Sequence, residues 1–370
     1  MKGTDRNEGI GMTIPTASAA ADRAVGEDQP MVTGRGLAPG GMWWVAWRQH
    51  RLVVLIGVGV LALLTVSVLV FRLRYNAAVS IDPAACRKLI ATRSDAYLCQ
   101  SMWDTVSAYQ TAWSYLRLPL LGLPVLLGGI AGGALISQEH DRGTHTFALT
   151  QSVSRTRWYL TKSVTVAVPL VIAQAVAGLI AGWAGSAPGL EGASKLDIPY
   201  FQFAGLVPAA LLLLSFGVAV PAGVFIRSTL SAVTAGFALA ALAVITLGYL
   251  ACPNLVPHSI IAGPIIQGAD TVAAPTGAFE VSSGYAGSDG HAIALSGCPG
   301  LEQGHTPGVE YTSNALSKTC LQNQGITQQF VIYIDPARST QLRATLWATA
   351  AAIASAGIGI GLWRIRHEDL

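Results

Sequence analysis

The sequence predicts an all-α integral membrane protein with six transmembrane helices and cytosolic N- and C-termini. Three observations carry this expectation. Hydrophobic residues make up 52% of the 370-residue chain and charged residues only 12%, about half the charged share of a soluble domain. The apolar residues fall in six long runs. The basic residues gather in segments that a six-span arrangement places on one side. The net charge of +3 is small and points to no nucleic-acid partner.

A helix needs about 20 apolar residues to cross roughly 30 Å of hydrocarbon. The qualifying windows are 52–71, 118–137, 163–184, 204–226, 231–250 and 344–363, and none contains Asp, Glu, Lys, Arg or His. Cytosolic loops carry an excess of Lys and Arg. With both termini inside, segments 1–51, 138–162, 227–230 and 364–370 hold 13 of the 23 basic residues in fewer than 90 positions. Arg72 and Arg74, just outside the first span, are the exception. The expected location is the plasma membrane, multi-pass.

The chain divides accordingly. Residues 1–40 lack an apolar signal region and read as a disordered cytosolic leader. Residues 41–51, "GMWWVAWRQHR", place Trp43, Trp44 and Trp47 along one side of a helix, with Arg48 and Arg51 free to meet water or lipid phosphate. Tryptophan favours the membrane–water boundary, so this stretch reads as an amphipathic interfacial helix; the plainer alternative is the start of the first span with an aromatic belt. Residues 52–250 hold spans one to five, with a cytosolic loop at 137–162. Residues 251–343 form a large extracytoplasmic loop, rich in Gly, Ser, Pro and Thr and poor in regular periodicity. Residues 344–370 hold the sixth span and a short cytosolic tail. The first outer loop, about 72–117, contains a helical stretch around "CRKLIATRSDAYLCQSMWDTVSAYQTAW".

All five cysteines fall outside in this arrangement, where disulfides form. Cys86–Cys99 and Cys298–Cys320 are the candidate bridges, leaving Cys252; connectivity does not follow from sequence, and unpaired thiols are the alternative. Gly128, Gly129, Gly132 and Gly133 in the second span, and Gly357 and Gly361 in the sixth, sit at spacings that let helices approach closely. They serve packing within one bundle or a subunit interface.

The absences narrow the function. The spans hold no ionisable side chain, Gln174 being the most polar, whereas ion-driven carriers keep such groups in the membrane core. The phosphate-cradling G-x-x-x-x-G-K-[ST], H-E-x-x-H and G-x-S-x-G are all missing. His258, His291 and His305 show no metal-ligand spacing. No catalysis, metal or cofactor is expected, and any active transport draws its energy from another protein.

The densest polar stretch lies between spans two and three. "ISQEHDRGTHTFALTQSVSRTRWYLTKS", residues 136–163, gathers two acids, three arginines, a lysine and two histidines. Gly143 can bend the chain there. A basic loop that only obeys the topology rule, with Glu139 and Arg155 pairing inside it, is the simpler reading. The pattern Glu139, Gly143, Thr144 and then "TQSVSRTRWYLTK", with Thr150, Gln151, Ser152, Ser154, Arg155, Trp158 and Lys162, resembles the cytosolic loop of permease subunits of type-2, exporter-like ABC transporters, of the kind common in actinobacteria. "VAWRQHR", "FIRSTLSAV" around Arg227 and "YIDPARSTQLRATLW" are similar to neighbouring parts of that family, so the likeness spans nearly the whole chain after residue 41. The resemblance implies an ATPase-coupling loop in which Glu139, Gly143, Thr144, Gln151, Arg155, Trp158 and Lys162 take part. It also implies a cytosolic ABC ATPase partner and a second permease subunit, as a homodimer or a heterodimer. The cargo would be amphipathic or hydrophobic and would leave by ATP-driven efflux. The alternative is a non-transporting membrane sensor or scaffold that recruits a cytosolic partner.

Overall fold

A computed structural model of the chain describes residues 39–79, 96–141, 154–188, 190, 200–251, 254–264, 272, 274–275, 278–293, 323 and 325–367. The helices are α1 (Pro39–Ala78), α2 (Ala96–Asp141), α3 (Arg155–Gly185), a single turn α4 (Tyr200–Phe203), α5 (Val207–Phe225), α6 (Thr229–Ile245) and α7 (Ser339–His367). Six of these, among the described residues, are long and apolar enough to cross a membrane. They coincide with the six uncharged windows of the sequence, and the chain is a multi-pass membrane protein with an all-α spanning region. The leader 1–40 falls outside the described residues except for its last two positions, which open α1.

The helices run well past the windows. α1 has 40 residues and α2 has 46, so at about 1.5 Å per residue each is roughly 60 Å or longer, twice the hydrocarbon thickness. The 41–51 stretch is continuous with the first span, as its first three turns. From Ala96 onward, the helical stretch expected in the first outer loop is the start of α2. Pro119 and Pro124 lie inside α2, Pro169 in α3 and Pro221 in α5; neighbouring helices and local adjustments make intramembrane prolines tolerable.

α5 is the central rod. Fifteen of its 19 residues are buried, against four of the 17 in α6. α2, α3, α6 and α7 all pack on α5, and α1 lies on α3. The peripheral helices turn narrow stripes inward: Ala232, Gly236, Ala240 and Val244 on α6, and Leu342, Leu346, Ala350, Ala354, Gly357, Gly361 and Ile365 on α7. Steps of three and four residues put each set on one helical face. Their other faces carry exposed Leu239, Leu242, Ile353 and Ile360, as expected for side chains that meet lipid.

All six glycines of the two predicted stripes pack inside this one chain. A Cβ on Gly128 or Gly132 would lie 2.5 Å from Ser215 Cβ or from the Phe216 carbonyl of α5, and one on Gly129 or Gly133 would lie 2.8 Å from the backbone of α6. Gly357 meets the Gly217 carbonyl of α5 at 2.2 Å by the same measure, and Gly361 meets the Tyr159 hydroxyl at 2.5 Å.

The segment between α6 and α7 differs from its expected irregularity. Beyond a π-helical turn at Thr246–Ala251 comes an antiparallel four-stranded sheet in the order β1-β4-β2-β3, with β1 at Ser259–Pro264, β2 at Phe279–Gly287, β3 at Ala292–Ile293 and β4 at Ile326–Ile334. Ser259 pairs with Tyr333, and Tyr285 with Gln329. Only β4 carries a long β-branched and aromatic run, "ITQQFVIYI". The sheet seats on the bundle through Ile334 and Val256, which join Phe201, Leu342 and Leu346 in one apolar cluster.

The bundle thus has a sheet end and a loop end. At the sheet end, Arg72 Nη1 donates to the Ala184 carbonyl at 3.4 Å and its guanidinium lies 5.3 Å from the Trp183 ring. Arg72, one of the two arginines that the positive-inside count leaves as exceptions, thus caps the last turn of α3, where a cation is favourable. At the same end Phe71 stacks on Trp113, and Tyr109 and Phe203 meet these two rings edge-on.

Candidate functional site

The site is built at the loop end, where α2 ends, α3 begins and α7 ends. Ser154 is the N-cap of α3. Its extended backbone frees the hydroxyl to accept from the Arg157 amide at 3.4 Å, answering one of the unpaired donors of a first turn. This fixes where α3 starts and therefore which side chains face inward. Tyr159, Lys162, Ser163 and Val166 do; Arg157 and Leu160 remain exposed.

Lys162 is only 2% exposed and forms an ion pair with Glu139 Oε1 of α2. Its ammonium also sits 4.1 Å from the Trp158 ring centroid, one turn back on the same face. His50 of α1, itself buried, stands near enough to feel the lysine charge. Glu139 Oε2 and His50 Nε2 are buried without a hydrogen-bond partner among the described residues. A charge pair taken out of water recovers its desolvation cost only when the remaining lone pairs are satisfied. This pair is half satisfied, so net stability is a poor explanation for it.

A second set of contacts ties α3 to α7. Arg155 Nη1 donates to the Ile365 carbonyl at 3.3 Å, Tyr159 Oη donates to the Ile358 carbonyl at 3.0 Å, and Arg366 Nε donates to Thr156 Oγ1 at 3.1 Å. Arg155 satisfies a carbonyl in the last turn of α7, which has no partner within its own helix. The close Gly361–Tyr159 approach brings the phenol within reach.

These positions revise several sequence expectations. Glu139 pairs with Lys162, and the pairing with Arg155 is not formed. The reason is geometric: Lys162 lies two turns into α3 and faces α2, while Arg155 opens the helix toward α7. Lys162 is buried, so it offers no surface to a partner. Gly143, Thr144 and Gln151 lie outside the described residues. Cys99 is buried and disulfide-bonded; its partner lies outside the described residues, as do Cys86, Cys298 and Cys320. Tyr159, Thr156, Arg366 and His50 were missed by sequence reasoning. Three of them act across the α3–α7 contact, some 200 positions apart along the chain, and no local pattern signals such a pairing.

Among the described residues, no group of three His, Cys, Asp or Glu could hold a metal ion. Both sides of the 137–162 loop are fastened: α2 to α3 by the Glu139–Lys162 ion pair and α3 to α7 by hydrogen bonds.

A family model described as ABC-2 membrane transporter related matches residues 58–251, just over half of the chain. No match is found among curated proteins or solved structures. The matched segment runs from within the first span to the π-helical turn after the fifth and encloses the charged loop with both of its anchors on α2 and α3. The chain belongs to the ABC-2 membrane transporter related family and is a non-catalytic, multi-pass permease component of an ABC transporter.

Proposed function

We propose that this permease is the membrane half of an ATP-driven exporter of amphipathic or hydrophobic cargo in the plasma membrane. A separate cytosolic ATPase docks on the 137–162 loop, and a second permease subunit, a copy of this chain or a close relative, completes the pathway. Gly143, Thr144 and Gln151 belong to the docked part of the loop. Glu139, Arg155, Trp158 and Lys162 form the linkage that carries the push into the bundle. The observation that supports this reading is the double fastening of the loop, to α2 through Glu139–Lys162 and to α7 through Arg155 and Tyr159. A loop that served topology alone would need neither.

The test is co-purification with the ATP-binding subunit, followed by ATP turnover in vesicles. Arg157→Glu reverses an exposed charge within the loop without touching the linkage. It is expected to lower ATPase recovery on the order of threefold, through slower and more salt-sensitive association, with an unchanged unfolding temperature. Unaltered recovery removes that face from the docking surface. A chain that never stimulates ATP turnover fits the scaffold alternative, and transport without any nucleotide ends the exporter reading.

A further inference from the structure

Trp43, Trp44 and Trp47 of α1, with Val164, Thr165, Val168 and Pro169 of α3, line an open groove of about 420 Å³, within the roughly 300–1,000 Å³ of small-molecule sites. Its place in the fold is unusual. α1 and α3 run parallel: Gly57 meets Leu170, Arg72 meets Ala184, and Tyr75 donates to the Pro188 carbonyl. Continued straight, that pairing would set Trp43 near the first turn of α3. The tryptophans instead share a groove with residues two to four turns deeper on α3, between the start of α1 and the middle of α3.

The lining is apolar. Its one hydroxyl, on Thr165, already donates to the Thr161 carbonyl at 2.7 Å. Val164, Val168 and the three tryptophans are exposed, as side chains facing lipid would be. Charge stands only at the rim. Arg48 is exposed and holds its guanidinium 5.2 Å from the Trp44 ring, and Arg51 is exposed less than one turn further along α1. An apolar slot whose other polar groups are indole N–H donors, with Arg48 on the Trp44 ring and Arg51 one turn on from Trp47, matches an acyl chain below an anionic headgroup.

We propose that this groove is a binding site for one anionic phospholipid, with an acyl chain between the tryptophans and Val164, Val168 and Pro169, and the headgroup phosphate on Arg48 and Arg51. Guanidinium is suited to phosphate by its planar, two-pronged donors, and stacking on Trp44 holds one of the two in place. The lipid fills the space between the two helices and braces α1 against α3. The site is independent of the ATPase, since it uses no residue of the 137–162 loop that faces α2 or α7.

The test uses the purified full-length chain in phosphatidylcholine nanodiscs doped with phosphatidylglycerol or phosphatidylcholine brominated on the acyl chain. Bromine quenches nearby tryptophan emission. Half-maximal quenching is expected at a mole fraction at least about fivefold lower for phosphatidylglycerol, the scale of one surface arginine. The preference should vanish in Arg48→Gln/Arg51→Gln, and the quenched component in Trp43→Phe/Trp44→Phe/Trp47→Phe. Val168→Phe, which fills the groove and leaves both arginines, should also remove it. Equal midpoints for the two lipids overturn the proposal, as does a preference that survives either the arginine or the Val168 variant. Displacement of both lipids to the same extent by a neutral amphiphile would also overturn it and assign the groove to cargo.

Discussion

The Glu139–Lys162 pair is where residue chemistry and mechanism meet. Lys162 is nearly sealed from solvent, and one carboxylate oxygen of Glu139 has no partner among the described residues. Removing one member leaves the other charge buried alone. Lys162→Met is therefore expected to destabilise the purified protein by about 3 kcal/mol or more, read as a fall in the unfolding midpoint in detergent. Glu139→Gln/Lys162→Met should recover most of that loss, because no uncompensated charge remains. If Lys162→Met proves neutral, the two side chains do not meet in the folded protein. The recovered double variant is the informative one for function: stable, yet expected to stimulate the ATPase less, because α2 and α3 are no longer joined by charge. Residues 137–162 stand out in the sequence as a concentration of charge in an apolar chain. The partners do not, because each is chosen by helical phase, and phase depends on the Ser154 cap.

At the scale of elements, small residues decide the packing. α5 and α7 cross where Gly217 faces Ala354 and Gly357, and a Cβ at Gly217 would lie 2.3 Å from the Ala354 Cα. Backbone stands there, so nothing can swing aside. Gly217→Val is expected to cost at least about 2 kcal/mol through overpacking, seen as a lower unfolding midpoint. On α1, a Cβ added to Gly59 would meet nothing within 4 Å, and Gly59→Ala is expected to be neutral or stabilising by less than about 1 kcal/mol. Similar losses at both sites would mean that the crossing is not close. The Gly-x-x-x-Gly spacing is legible in the sequence, but its use is not: the same stripe could join two subunits or two helices of one. The lengths of α1 and α2 are also hidden. Helix continues into polar sequence on either side of the apolar window, and hydropathy reports only the part that needs lipid.

For the whole molecule, the orientation follows from the proposed cytosolic loop, which puts the sheet outside. Ser288 lies in the exposed turn between β2 and β3. In intact cells, and with the native cysteines replaced by serine, a Ser288→Cys variant is expected to react with a membrane-impermeant thiol reagent and a Gln151→Cys variant to remain unlabelled until the membrane is opened. The reverse pattern would invert the topology. The sheet itself escapes a reading of the sequence because its strands are short and unequal: β3 has two residues, and β1 exposes four of its six. Such strands owe their pairing to partners far along the chain and to the apolar seat on Ile334 and Val256, and neither leaves a period-2 signal.

The amino-acid order by itself determined that this chain crosses a membrane six times, and where. Those properties depend on composition over about 20 consecutive residues and on the cost of bringing charge into hydrocarbon, both local quantities. Which side of each helix faces its neighbours, which cation meets Glu139, and that α7 locks onto the start of α3 were decided only by the tertiary structure. A spanning helix is apolar all round, so hydropathy does not distinguish lipid from protein; the choice of face is made by shape, when glycines and alanines let two backbones come close enough for one polar group to find another.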